Sequence, residues 1–342
     1  MHNNNRKCMD VLLFGKTPIG MGVAGHKEGD LELRPAMALD RDKRFVVTKA
    51  LVEQSRILAL FVIFILLIIV INTAIVVFIV ASKAMRQSSR HILIVSVCLG
   101  DLLMGLFVLP ALLDLGTRHG ENIGDCSVFY AMRLFADFLI PSVTTLGMLA
   151  LNIDYILRLC YSAYSEGATR TTLILVLFLT PWVVSCALLI PLYIDGLNAT
   201  RGSYWWETCT ITMGGHLTRT LLVVSFFPQA ALLLIFNIAV SVLYLVRRES
   251  YSLDATGERI RAPVDICLAS FTTILFYTPV FLLTVLTTEG YLGCVEEDEC
   301  RALRDMATTV VWLFFTKSWF LPLAWFTCKD TRTCIRHIFS CC

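Results

Sequence analysis

The sequence predicts an all-α membrane protein, a seven-transmembrane helix bundle with the N terminus outside and the C terminus in the cytoplasm. Three observations carry this. The composition is far from that of a soluble domain. Of 342 residues, 56% are hydrophobic and only 16% charged, with a mean hydropathy of +0.70, against about 25% charged residues in soluble domains. The apolar residues fall into seven long runs, at 57–81, 92–113, 126–160, 172–194, 217–246, 263–286 and 302–326. Each reaches the ~20 residues that span a bilayer. The runs are continuous rather than alternating, so they read as helices, which satisfy their own backbone in lipid. Charge also alternates between connections. Lys83, Arg86 and Arg90 fall in 82–91, Arg247, Arg248, Arg259 and Arg261 in 247–262, and Lys329, Arg332 and Arg336 in the tail. The other connections are more acidic, most clearly at Glu296, Glu297, Asp298 and Glu299. The positive-inside rule then puts the tail in the cytoplasm.

Residues 1–55 are mixed polar, carry charge throughout and lack the apolar stretch of a signal peptide. They read as a poorly ordered extracellular segment, so that the run at 57–81 acts as its own insertion signal. The bundle occupies 56–326, and 327–342 is a short cytoplasmic tail with a candidate amphipathic helix. The third run is the axis of the chain. No charged residue lies between Asp137 and Asp154. At 1.5 Å per residue these carboxylates stand roughly 25 Å apart, near the two faces of the hydrocarbon core. Prolines at 110, 141, 181, 191, 228, 279 and 322 lie inside the runs; in a bundle such prolines kink helices rather than end them.

The acceptor tripeptide Asn198-Ala199-Thr200 falls in a connection expected outside, which makes Asn198 a glycosylation candidate. Of 13 cysteines, Cys98, Cys186 and Cys267 read as small apolar residues inside the runs, while Cys126, Cys209, Cys294 and Cys300 lie where an oxidising compartment permits disulfides. Cys341 and Cys342 follow basic residues, as palmitoylated cysteines do. No clustered metal ligands or nucleophile motif are visible, so neither metal, cofactor nor enzymatic activity is expected; no nucleic acid is expected as partner either, although the net charge of +2 itself says nothing about it.

Several segments together resemble the rhodopsin-like G-protein-coupled receptors, and most closely their biogenic-amine branch. Ile71-Asn72-Thr73-Ala74-Ile75 is similar to the first-helix Gly-Asn-x-x-Val, with Ile71 for the glycine. The run from Gly100 to Pro110, Gly-Asp-Leu-Leu-Met-Gly-Leu-Phe-Val-Leu-Pro, resembles the second helix of amine receptors. Trp182 and Pro191 resemble the fourth-helix signature and Pro228 the fifth-helix proline. Phe276-Tyr277-Thr278-Pro279 is a variant of Cys-Trp-x-Pro, and the run from Trp312 to Trp325 parallels Trp-Leu-Gly-Tyr-x-Asn-Ser-x-x-Asn-Pro-x-Ile-Tyr around Pro322. The resemblance covers about residues 55–340.

It implies a multi-pass plasma-membrane receptor for a small cationic or zwitterionic extracellular ligand, with a heterotrimeric G protein as partner. Asp137 stands 17 residues before Asp154, the amine-receptor spacing between the ligand-anchoring carboxylate and the Asp of Asp-Arg-Tyr. A carboxylate in a low-dielectric pocket binds an ammonium by a charge-assisted hydrogen bond. By the same resemblance Thr220 offers a hydroxyl, and Val280, Phe281, Trp312 and Phe315 supply apolar walls; ordinary helix packing is the other reading of these residues. Arg133 lies four residues before Asp137 on one helix face, so Asp137 reads either as ligand anchor or as partner of Arg133. The resemblance pairs Cys126 with Cys209, although Cys126 is 11 residues before Asp137 where relatives have 7. Cys294 and Cys300 form a second candidate bridge.

The departures cluster on activation motifs. Tyr155 replaces the arginine after Asp154, Tyr277 the sixth-helix tryptophan, and Leu321 and Trp325 the Asn and Tyr of Asn-Pro-x-x-Tyr. They support a second reading, a receptor-like decoy or partner without conventional coupling. Lys317 stands where relatives carry an asparagine, close to the second-helix carboxylate, here Asp101. A lysine in mid-membrane needs a partner. A Lys317–Asp101 ion pair in place of the sodium ion that relatives hold is one expectation, and snorkelling to water is the other. A retinal Schiff base is not expected, because opsins carry their lysine two residues earlier. A transporter using Asp101, Asp137 and Lys317 is the reading from another class, and the sequence shows no internal repeat to support it.

Overall fold

A computed structural model describes the backbone at 36–111, 113, 131–132, 134–161, 167–200, 216–250, 262–288, 297–327 and 332. Side chains are described from 58 onward within these ranges, apart from 84, 167–168, 195–200, 216–224, 248–250, 284, 287–288, 297–301, 303 and 304.

Among the described residues all regular structure is helical, and seven helices are long and apolar enough to cross a membrane. They are α1 (Ala36–Ala81), α2 (Ser89–Leu103), α3 (Ile140–Cys160), α4 (Gly167–Thr200), α5 (His216–Ser250), α6 (Val264–Thr288) and α7 (Glu297–Trp325), with a four-residue helix Lys83–Arg86 between α1 and α2. π-turns continue two of them, Met104–Val108 after α2 and Phe135–Leu139 before α3. The chain is a seven-helix membrane bundle. The ring runs α1–α2, α4–α5, α5–α6, α6–α7 and back from α7 to α1, while α3 touches α2, α4, α5 and α6. In its most apolar stretch 78% of the α3 residues are buried, against 17% for α4 and α5. That makes α3 the axis and turns α4 and α5 to lipid.

Helical hydrogen bonding outlasts the apolar composition. α1 begins at Ala36, well before the apolar run at 57, and α4 carries its backbone through Asn198 to Thr200, where a loop was expected. Composition marks only where lipid contact starts, whereas residues such as Ala50, Leu51 and Glu53 keep good helix propensity in water. The backbone at Cys300 lies inside α7 for the same reason. Side chains of Asn198, Thr220 and Cys300, and all of Arg133, Cys126, Cys209, Cys294, Cys341 and Cys342, lie outside the described residues.

Two of the expected proline kinks take the form of π-turns. Proline lacks the N–H that would bond the carbonyl four residues back, and its ring crowds that carbonyl. Pro110 acts on Leu106 and Pro141 on Asp137. The chain widens instead. Leu109 donates its N–H to the Met104 carbonyl and Ile140 to that of Phe135, each five residues back. The two π-turns touch each other. A π-turn also rotates what precedes it relative to an α-helical count, so the 17-residue spacing does not by itself give the direction of Asp137.

Two apolar cores fill the bundle. One, beside the π-turns, includes Met104, Phe138, Phe226, Tyr277, Phe281 and Phe314. The other, toward the 82–88 connection, includes Ile79, Val97, Met148, Leu233, Leu321 and Trp325. Close approach of α2 and α3 in this second core depends on Gly147, where a Cβ would lie 2.8 Å from Val97 Cγ2. Gly147→Ala is therefore expected to cost about 1–3 kcal/mol as overpacking. Thermal unfolding in nanodiscs checks this, and Val97→Ala in the same chain should recover most of the loss.

Candidate functional site

Between the two cores lies a polar layer built from four helices. Lys317 on α7 is 0% exposed and Asp101 on α2 is 1% exposed. An ammonium has three hydrogens to place, and Lys317 Nζ donates to Asp101 Oδ1 at 2.8 Å, Asp101 Oδ2 at 3.1 Å and Thr144 Oγ1 at 3.0 Å. The Tyr277 ring of α6 lies 5.3 Å from Nζ, within cation–π range, and its hydroxyl makes a longer contact of 3.5 Å to Thr144 Oγ1. The buried cation is thus fully coordinated by protein. The residues do not fit the sodium ion of the resemblance, because both oxygens of Asp101 already face the lysine. Next to this layer Asn72 of α1 donates to the Ser318 carbonyl of α7 at 2.9 Å, while Trp182 of α4 donates to Ser96 of α2 at 2.8 Å.

Asp137 is half-buried on its π-turn, at the level of the first core. Seven residues separate it from Thr144, about 10 Å along the axis, and an aromatic cluster fills the core between these levels. Phe226 stacks on Phe281 at 4.1 Å and 7°, and Tyr277 tilts against Phe314 at 5.0 Å. Val280 and Phe315 pack on this cluster. Trp312 meets the edges of Phe61 and Phe64 on α1, at 5.8 and 5.2 Å. Of the expected apolar walls, Val280, Phe281 and Phe315 therefore share one cluster, while Trp312 fastens α7 to α1.

At the opposite end, beside the 82–88 connection, Asp154 of α3 accepts from Ser89 Oγ of α2 at 3.1 Å and lies 3.6 Å from Arg158 Nε. Arg158 also reaches Ser88 Oγ at 3.5 Å. Tyr155 packs, partly buried, against the second core. Arg90 of α2 forms an ion pair with Asp265 of α6. Pro279 is half-buried on α6 and Pro322 buried on α7.

Six participants carry no motif that marks them in the sequence. Thr144 completes the lysine's coordination; a hydroxyl seven residues from Asp137 was its available signal. Arg90 was counted only as loop charge, and Asp265 not at all, although a carboxylate in the first turn of an apolar run is conspicuous. Ser142, Ser185 and Gln229 form a buried cluster joining α3, α4 and α5, with Ser185 Oγ donating to Ser142 Oγ at 2.9 Å and Gln229 Nε2 to the same oxygen at 3.2 Å. Gln229 stands next to Pro228, and its polarity inside an apolar run was the readable sign.

Seven helices joined at their centre by a buried Lys317–Asp101 pair define a polytopic membrane protein. The family pattern described as 7 transmembrane receptor (rhodopsin family) matches residues 71–325. The chain belongs to the rhodopsin family of seven-transmembrane receptors. No curated protein matches it.

Proposed function

We propose that the chain is a cell-surface receptor for a small cationic or zwitterionic, amine-like ligand, with Asp137 as the anchor for the ammonium. The supporting observation is the half-buried carboxylate of Asp137, set on a π-turn at the level of the Phe226–Phe281–Tyr277 aromatic cluster. In this reading the 82–88 face is cytoplasmic, and ligand binding reaches it through Tyr277, which touches both the aromatic cluster and the Lys317–Asp101 pair. Lys317 stands in for a bound sodium ion, so ligand binding is indifferent to sodium. The G protein is the expected partner at the cytoplasmic face.

A second reading, a receptor-like protein that does not activate G proteins, draws on the packing of the altered motifs. Leu321 and Trp325 are 0% and 1% exposed in an apolar core, where the family has groups able to exchange hydrogen bonds.

Binding of labelled monoamines to membranes carrying the wild type and Asp137→Ala tests the first reading. A charge-assisted hydrogen bond is worth about 1.5–3 kcal/mol, so the variant should bind about ten- to hundredfold more weakly. Saturable binding that survives the substitution unchanged would remove Asp137 as anchor. Ligand binding without nucleotide exchange on any G protein would favour the second reading.

A further inference from the structure

Each of the two π-turns leaves a carbonyl without a backbone donor. In an α-helix Gly105 would accept from the Leu109 N–H, but that group bonds the Met104 carbonyl five residues back. The next N–H along is missing, because residue 110 is proline. Ala136 is in the same position. Ile140 donates to Phe135 instead, and residue 141 is proline. Leu106 and Asp137 can still turn to the N–H groups of Ala111 and Ser142, five residues on; Gly105 and Ala136 cannot.

Side chains do not make good the loss. No hydroxyl or amide side chain lies within four residues of Gly105 along the chain. On α3 the Ser142 hydroxyl donates to Gln229 Oε1 at 3.3 Å and that of Thr145 to the Pro141 carbonyl at 2.8 Å. Among the described residues no hydrogen bond reaches either carbonyl. Gly105 is buried and Ala136 is 1% exposed, beside Met104, Val108 and Phe138 of the first core. An unmet carbonyl there costs as much as a lost hydrogen bond. The two π-turns touch, and the Ala136 carbonyl belongs to the peptide unit that leads into Asp137. Two carbonyls and a half-buried carboxylate, all acceptors, therefore gather where the π-turns meet. A carboxylate attracts any ammonium by charge. Carbonyls with no donor of their own add a demand for N–H groups, and a primary ammonium has three to place.

We infer that the carbonyls of Gly105 and Ala136 form a subsite beside Asp137 that reads the number of N–H groups on the ligand, selecting a primary ammonium over its N-methylated forms. This rests on the amine-receptor reading for the class of ligand.

The test uses the full chain in lipid nanodiscs with methylammonium, dimethylammonium, trimethylammonium and tetramethylammonium chlorides, which differ in N–H count. The rise of the unfolding temperature on titration gives an apparent affinity. In the wild type each N–H lost should weaken binding about two- to tenfold. Substitution at Gly105 is uninformative, because a Cβ would lie 3.0 Å from Ile68 Cγ2. P110A/P141A instead returns the missing N–H groups, and it should bind the four ions alike. Equal affinities or no binding in the wild type, or an order that P110A/P141A keeps, would overturn the subsite. Asp137→Ala separates the two claims. An order that survives this substitution leaves the subsite standing and removes Asp137 as anchor. Wild-type binding that depends on Asp137 but not on N–H count does the reverse. Should the proline variant fail to fold, the wild type labelled with carbonyl-13C glycine and alanine decides. Methylammonium should shift the Gly105 and Ala136 signals and tetramethylammonium should not; signals that neither ion moves, or that both move alike, overturn the subsite.

Discussion

Lys317→Met is expected to destabilise the bundle by about 3–5 kcal/mol, because it leaves the Asp101 carboxylate buried without its cation. The size follows from the completeness of the site. All three ammonium hydrogens are spent on Asp101 and Thr144, and Lys317 is 0% exposed. Thermal unfolding of the purified chain measures the loss. Asp101→Asn in the same chain should recover most of the stability, since replacing both charges can be near neutral where removing one is not. A further arm separates ion pair from packing. With Lys317 shortened to alanine, the freed oxygens of Asp101 and Thr144 become available to a small cation, so sodium should raise the unfolding temperature of Lys317→Ala relative to a bulky organic cation at equal ionic strength. The wild type should show no such difference. A sodium response in the wild type would mean that Lys317 does not hold the place of the ion.

The helices were readable because lipid imposes one requirement, a long apolar run with a self-satisfied backbone, and the chain meets it seven times. Their ends were not, since the hydrogen bonds of α1 and α4 continue past the apolar segments through residues equally content in water. Prolines 110 and 141 announced a disturbance, but not that the backbone would answer with five-residue hydrogen bonding, which turns Asp137 away from the direction a regular helix gives it. A lysine in an apolar run demands a carboxylate, and the spans contain few. The third acceptor, Thr144, depends on how α3 is rotated, which no spacing along one helix fixes. Arg90 and Asp265 show the same gap more sharply. Both are visible as charges at the start of apolar runs, yet their pairing depends on the bundle bringing non-adjacent helices together. Periodicity reports what faces inward. It is silent on which inward groups meet.

Trp325 makes a second large effect that discriminates between causes. It is 1% exposed, among the largest fully buried side chains, and its Nε1 has no hydrogen-bond partner among the described residues. Trp325→Ala should cost about 3–5 kcal/mol through the cavity it opens in the core shared with Ile79, Met148 and Leu321. Trp325→Phe should behave differently. It removes a buried N–H whose unmet hydrogen bond costs about 1–3 kcal/mol, and that gain offsets the lost ring area, so the variant should lie within about 1 kcal/mol of the wild type. Thermal unfolding of the two variants side by side decides. If phenylalanine is nearly neutral and alanine is not, the indole acts by volume, and this end of α7 is a packed plug with no group to exchange on activation. That outcome favours the receptor-like protein without conventional coupling. If phenylalanine costs as much as alanine, the indole N–H has a partner in the membrane-embedded protein, and Trp325 takes the part of a polar residue that relatives entrust to tyrosine.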